Sequence, residues 1–192
     1  MIKALIFDWH GVLDSVEFEG LAKLLAEITD ATPVDVHEKL RDIERQYARG
    51  DIEPELFWGE LGARLNITDS QLEEARSYIV STNLKQDVWQ LIPSLSKKYK
   101  LAILSDCPKD KANFIRDSAN LELFEAAHFS ADEHLLKSDP IFFENIIHEL
   151  GLGPEDCLFI DDREKNLTLP RELGVGVHLF NGDLAVFEAL LV

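Results

Sequence analysis

From residue 88 onward, short apolar runs alternate with amphipathic stretches, and this alternation limits the fold more than any other feature of the chain. Residues 88–98 read as a helix and residues 100–104 as a buried strand. A helix over 108–118 follows, then a short strand around 127–129. Asp139-Pro140 opens a helix that runs to Leu150; residues 157–160 and 175–180 are strands, and a last helix closes the chain after Gly182. Strands separated by helices of this length imply a parallel sheet with both faces covered. The expected class is therefore α/β, a Rossmann-like three-layer core.

One strand stands apart from the others. Residues 3–9 carry the run Ala4-Leu5-Ile6-Phe7 straight into Asp8, yet residues 15–83 show helical periodicity throughout. Phe18, Leu21, Leu24, Leu25 and Ile28 form one apolar stripe at i, i+3, i+4 spacing. Thr32 caps a second helix with Pro33 at its first position, and Gly50 ends that helix after Arg49. Glu53-Pro54 opens a third helix bearing Phe57, Trp58 and Leu61, and Thr68 or Asp69 caps a fourth that reaches about Val80. The first strand thus belongs to a core of residues 1–14 and 84–192, and residues 15–83 are a helical cap domain inserted into it.

Charge narrows the partners. With a formal net charge of −17 over 192 residues, the chain repels nucleic-acid phosphates and anionic membrane surfaces. No apolar run approaches the ~20 residues of a membrane span, and the stretch before Asp8 is too short for a secretory signal. Cys107 and Cys157 are too few and too far apart for a disulfide framework or a cysteine zinc site, which fits reduced thiols and a cytoplasmic location. A monomer or homodimer acting on a small molecule is expected. A phosphorylated ligand would need local positive charge, from a lysine, a helix N-terminus or a metal ion.

In open α/β sheets, ligands bind beyond the carboxyl ends of the strands. Three strand ends here carry polar groups: Asp8, Ser105-Asp106 and Asp161-Asp162. The stretch "LLKSDP" adds Lys137 just ahead of a helix start. Several carboxylates gathered at one edge are strongly unfavourable without a cation among them. Oxygen ligands with no Cys or His cluster point to Mg²⁺ rather than zinc. Ser105 is also placed to cap the helix near Pro108.

Taken in order, "FDWHGVLDS", "AILSD", "LLKSDP" and "LFIDDREKN" resemble the four motifs of the haloacid dehalogenase (HAD) superfamily, most of whose members are Mg²⁺-dependent phosphatases. The resemblance covers essentially the whole chain, and "YARGDIEPELFW" looks like part of a helical cap of that superfamily. It implies that Asp8 is the nucleophile, forming an aspartyl-phosphate with a small phosphorylated metabolite. Ser105 would hydrogen-bond the phosphoryl oxygens, and Lys137 would neutralise the nucleophile and the transferring group. Asp162 would ligate Mg²⁺ directly, with Asp161 helping through water, and Asn166 would brace that loop. Asp106 stands where many relatives carry Asn.

Two departures from the pattern stand out. The residue two after the nucleophile supplies a metal-ligating carbonyl and an acid–base Asp side chain in the family; here it is His10. The carbonyl survives that replacement, so His10 keeps a place in the metal site, while its acid–base role becomes a question about imidazole. In "NLTLPRELG", Pro170 lacks the amide hydrogen of a regular helix, so a short helix beginning near Thr168 or Leu169 is expected. Competing readings are a dehalogenase-type hydrolase, which uses no metal, and a phosphonate-cleaving one, which needs a cap lysine such as Lys23 or Lys39. A non-catalytic HAD-fold binding protein is the reading from a different class.

Overall fold

The computed structural model describes residues 1–16 and 18–191. Five strands form one parallel sheet in the order β3-β2-β1-β4-β5. They are β1 (Ala4–Phe7), β2 (Lys100–Ser105), β3 (Ala126–Phe129), β4 (Cys157–Asp161) and β5 (Gly176–Leu179). β1 is central, pairing Phe7 with Ile103 on one side and with Ile160 on the other. Its residues are all buried because both faces are covered.

Alternation along β1 separates two apolar layers. Leu5 and Phe7 pack with α5 (Gln86–Leu95), α6 (Lys109–Ser118) and α10 (Ala185–Leu191), through Val88, Ile92, Ile115 and Phe187. Ala4 and Ile6 face α8 (Pro140–Glu149) and α9 (Glu164–Glu172), through Phe142, Phe143, Ile146 and Leu167. α7 (Ser130–Glu133), one turn after β3, has no counterpart in the sequence reading. Its four residues are too few for a periodic pattern to register.

α9 corrects that reading outright. It starts at Glu164 rather than near Thr168 and runs through Pro170. The start is fixed upstream of the proline, where Asp161 Oδ1 accepts the Arg163 N–H at 2.8 Å. Leu167 and the buried ring of Pro170 face inward, which offsets the ~3 kcal/mol that an interior proline costs.

Four helices occupy the insertion: α1 (Phe18–Thr29), α2 (Pro33–Arg49), α3 (Pro54–Leu65) and α4 (Asp69–Ile79). Thr32 and Asp35 form a capping box at the start of α2, and Thr68 and Gln71 form another at the start of α4. These helices share an apolar cluster of their own, including Leu21, Leu25, Leu40, Phe57, Leu61 and Ile79. Two chain crossings join them to the sheet region. Ser15 N–H donates to Asn83 O at 3.1 Å, and Lys85 N–H to Leu13 O at 3.0 Å.

A second junction lies at the far end of α2. Tyr47 Oη and Trp58 Nε1 donate to the two oxygens of Asp110 on α6, at 2.5 and 3.1 Å. Gly50 ends α2 with φ +77°, and a Cβ there would meet the Ala131 carbonyl oxygen at 2.4 Å. Glycine at this position permits both the left-handed turn and the close approach. No helix among the described residues is long and apolar enough to cross a membrane.

Candidate active site

Parallel pairing aligns the carboxyl ends of the strands, so residues just past them meet. Asp8 is the first residue beyond β1, and its N–H donates to Ile160 O at 2.9 Å. Continuing the β1–β4 register by one step sets Asp8 beside Asp161, the last residue of β4. Ser105 ends β2 on the other side. Lys137 arrives from the loop between α7 and α8, with its side chain only 3% exposed.

These groups form one connected cluster. Lys137 Nζ lies 2.7 Å from Asp8 Oδ2 and 2.7 Å from Asp161 Oδ2. Asp8 Oδ1 accepts from the Trp9 N–H at 2.7 Å and from Ser105 Oγ at 2.8 Å. Ser105 does not cap α6, whose N-cap is Pro108 with no side-chain bond. The hydroxyl is committed to Asp8 instead. Asp161 also accepts from the Arg163 N–H at 2.8 Å and from the Asn166 side-chain amide at 3.0 Å. Asp106 Oδ1 accepts the Lys137 N–H at 2.8 Å, which fixes the lysine's backbone.

Electrostatics ranks the carboxylates. Burial pushes the Asp8 carboxyl up to about 7, although the Lys137 ammonium opposes it. Burial also works against the ammonium, but the charges of Asp8, Asp161 and Asp106 outweigh it and hold Lys137 above the ordinary lysine value. At Asp161 burial is again opposed by Lys137 and by hydrogen bonds, and there the net direction is down. Of the two carboxylates that Lys137 bridges, Asp8 is therefore the under-compensated one. Burial of Cys107 raises its thiol well above the usual range, which leaves it inert.

Oxygens of Asp8, Asp161 and Asp162 all lie within 4.8 Å of one another. Three carboxylates around one ammonium leave an excess of two negative charges, and a divalent, oxygen-preferring cation matches that donor set. Gly11 leaves room for it to form: with φ +76°, a Cβ there would come 2.2 Å from Asp162 Cγ. Any side chain at Gly11 would displace the carboxylate.

His10 is held in one orientation. Its Nδ1 lies 2.6 Å from the Val16 carbonyl oxygen, which can only accept, so Nδ1 carries the hydrogen. Nε2 is buried with no hydrogen-bond partner among the described residues. Burial lowers the imidazole to about 4, and the nearby Lys111 charge adds to the shift. The neutral ring therefore holds a proton acceptor, not an acid, beside the cluster.

Asp8, His10, Asp106, Lys137, Lys165 and Asn166 line a cavity of about 130 Å³. A larger groove of about 650 Å³, lined along α2, shares Ala48, Asp106, Arg163 and Lys165 with it. The sequence reading did not single out Arg163 or Lys165, although both stand inside "LFIDDREKN". Nor did it single out Ala48, which stands inside "YARGDIEPELFW", and it missed Arg45 because exposed helical positions carry no local signature. Lys23 and Lys39 lie exposed on α1 and α2.

Comparison with known proteins agrees with this geometry. The family model of haloacid dehalogenase-like hydrolases matches residues 2–174. A sesquiterpene phosphatase of Aspergillus oryzae is 25% identical over 92% of this chain and 89% of its own length. β-Phosphoglucomutase of Bacillus subtilis is 26% identical over 96% of this chain and 89% of its own. A HAD family enzyme from Bacteroides thetaiotaomicron, solved in complex with magnesium and inorganic phosphate, superposes with a TM-score of 0.78 at 23% identity, covering 95% of this chain and 96% of that one. Motif order, strand-end geometry and family match converge: the chain belongs to the haloacid dehalogenase-like hydrolases.

Proposed function

We propose that the protein hydrolyses phosphate monoesters of a small molecule through an aspartyl-phosphate on Asp8, with α1–α4 serving as a cap over the site. A carboxylate oxygen of Asp8 attacks phosphorus, the bond to the leaving oxygen breaks, and the alkoxide takes a proton from solvent. Water then attacks the aspartyl-phosphate, releasing inorganic phosphate and restoring the carboxylate. The observation that carries this reading is the buried Lys137 bridge between Asp8 and Asp161. It screens the nucleophile, and it supplies positive charge where phosphoryl oxygens would gather. The Ser105 hydroxyl, now on Asp8, is within reach of the same oxygens.

Asp8, Asp162 and the carbonyl of His10 would hold Mg²⁺, which would neutralise the excess negative charge and polarise the phosphoryl group. Asp161, already engaged by Lys137 and Asn166, would support that site from behind. The names of the matched relatives, a phosphatase and a phosphoglucomutase, are in keeping with phosphoryl chemistry. The cluster's need for a divalent cation speaks against the metal-free dehalogenase reading. The exposed positions of Lys23 and Lys39 speak against a Schiff base.

His10 suits one half of the reaction. With Nδ1–H given to Val16 and Nε2 free of hydrogen, the ring can take a proton from the attacking water but has none to give the leaving group. Esters with good leaving groups should therefore react well and alkyl esters slowly. The test is turnover of an aryl phosphate with and without Mg²⁺, followed by a panel of phosphorylated metabolites. Mg²⁺-dependent turnover that drops by ~10⁴-fold or more in Asp8→Asn is expected. Absence of any turnover on the panel would favour a non-catalytic binder of phosphorylated ligands; unchanged turnover in Asp8→Asn would remove Asp8 from the chemistry.

A further inference from the structure

The groove beside the catalytic cavity reverses the charge of the rest of the molecule. The chain carries 36 Asp and Glu against 19 Lys and Arg. The groove, however, is lined by Arg41, Arg45, Arg163 and Lys165 against Glu38, Glu44 and Asp106. Two of those three carboxylates are already engaged. Glu44 pairs with His37 at 3.0 Å, and Asp106 accepts the Lys137 N–H. Arg41, Arg45 and Lys165 make no hydrogen bond or ion pair with any described residue. Arg41 and Lys165 feel the charges of Glu44 and Asp106 only at longer range. In a protein so rich in carboxylates, cations around one cleft that no carboxylate holds in a close pair indicate an anion that arrives from outside.

Helix geometry orders these groups. Val34, Glu38, Arg41, Arg45 and Ala48 follow one another at steps of three or four residues, so they form a single stripe along α2. The inward stripe of the same helix is Val36, Leu40, Ile43 and Tyr47. Ala48 lines the catalytic cavity as well as the groove. From Ala48, a rise of 1.5 Å per residue puts Arg45 about 5 Å along the helix axis, Arg41 about 10 Å and Val34 about 20 Å. α2 is thus a ruler, with the catalytic cavity at one end, two arginines next and Pro33 and Val34 at the other.

We propose that the substrate is a phosphate ester whose leaving group carries a second anionic group, a carboxylate or another phosphate, which Arg45 and Arg41 receive with Lys165 facing them. This rests on the phosphatase reading and names its substrate class. Guanidinium groups bind carboxylates and phosphates through paired N–H donors, so both anions share the recognition chemistry. The two arginines are specificity-determining residues, one turn apart, and together they select the distance between the two anions.

The test uses three matched series of increasing chain length: alkyl phosphates, ω-carboxyalkyl phosphates and α,ω-bisphosphates, assayed with Mg²⁺. The wild type should favour a doubly anionic series by at least tenfold in kcat/KM at an intermediate length, and the series that wins identifies the second anion. Arg45→Gln should reduce that preference about tenfold, mainly through KM, and Arg45→Lys should restore part of it. A merely structural arginine would lower both kinds of substrate together and leave the ratio unchanged, which would overturn the proposal.

Calorimetric titration with alkyl phosphonates and ω-carboxyalkyl phosphonates separates this inference from the phosphatase reading. If no ester turns over yet the carboxylated phosphonate binds at least tenfold tighter in the wild type and not in Arg45→Gln, the hydrolase reading fails and the groove's anion preference stands. Equal affinity for the alkyl phosphonate, the ω-carboxyalkyl phosphonate and an α,ω-bisphosphonate removes the groove proposal whatever the activity.

Discussion

Two buried aspartate–lysine pairs in this molecule have opposite designs. At the chain crossings between the four-helix unit and the sheet region, Lys111 Nζ lies 3.2 Å from Asp14 Oδ2, and both side chains are 0% exposed. That cluster is complete. Asp14 also accepts from Trp9 Nε1 at 3.1 Å and from the Asn83 N–H at 2.6 Å, and Lys111 donates to the Ser81 carbonyl. At the strand ends, by contrast, Lys137 serves Asp8 and Asp161 at once, with Asp162 close by. One cluster balances charge for charge, with both side chains fully buried. The other carries surplus negative charge and lines a cavity. A buried ion pair that is satisfied internally fixes geometry, whereas one left in surplus has binding still to do.

The largest effect should come from breaking the balanced pair. Lys111→Met would leave Asp14 buried with only neutral donors, and unpaired buried charges cost about 3–5 kcal/mol. Urea denaturation should show that loss. Because Asp14 anchors Asn83 and Trp9, the two crossings should also loosen, visible as faster amide exchange at Ser15 and Lys85. A loss below about 1 kcal/mol would mean that water enters the cluster and that it is not closed.

How far each cluster was legible in the sequence follows from the same contrast. Asp8, Ser105, Lys137 and Asp161 stand at strand ends or before a helix start, and local patterns mark such places. Parallel pairing then brings them together. Helix limits were legible wherever a cap fixed them, as at Thr32 and Gly50. Asp14 and Lys111 are separated by 97 residues, and neither has a local signature. Their meeting depends on how α6 packs against the crossings, which no window of sequence contains. The stripe of Arg41 and Arg45 was hidden for a related reason: periodicity reveals the buried face of a helix and leaves the uses of its exposed face unmarked. Pro170 misled because its local cost was real but smaller than the tertiary gain around it.

His10 touches both regions, since its ring lines the strand-end cavity while Nδ1–H is bonded to Val16, next to the first crossing. His10→Asp sharpens the comparison by separating those ties. A carboxyl group can give a proton to the leaving group and take one from water, so turnover of alkyl phosphates should rise by ~10²-fold. The Val16 carbonyl loses its donor, and stability should fall by about 1 kcal/mol. His10→Asn supplies an N–H for Val16 without proton chemistry; it should keep stability and gain no activity. A brisk wild type slowed by both substitutions would make His10 a competent acid–base group.

The surplus at the strand ends also has a thermodynamic signature. Burial raises the Asp8 carboxyl from its ordinary value near 4 to about 7 in the metal-free protein. Between those two values the folded chain holds a proton at Asp8 that the unfolded chain has released. Stability attributable to Asp8 must therefore fall as pH rises across this window. Asp8→Asn has no such proton, so the difference in unfolding free energy, wild type minus variant, removes the contribution of titrating groups outside the Asp8 cluster. That difference should decline from pH 4 to pH 7, because burial outweighs the Lys137 charge at Asp8. Mg²⁺ should flatten the curve, because a cation beside Asp8 favours the ionised form in the folded state. The balanced Asp14–Lys111 pair offers the contrast: with no surplus to relieve, it gives Mg²⁺ nothing to compensate. A difference curve that rises with pH in the metal-free protein would show that Lys137 alone compensates Asp8, and the surplus would have to be placed on Asp162.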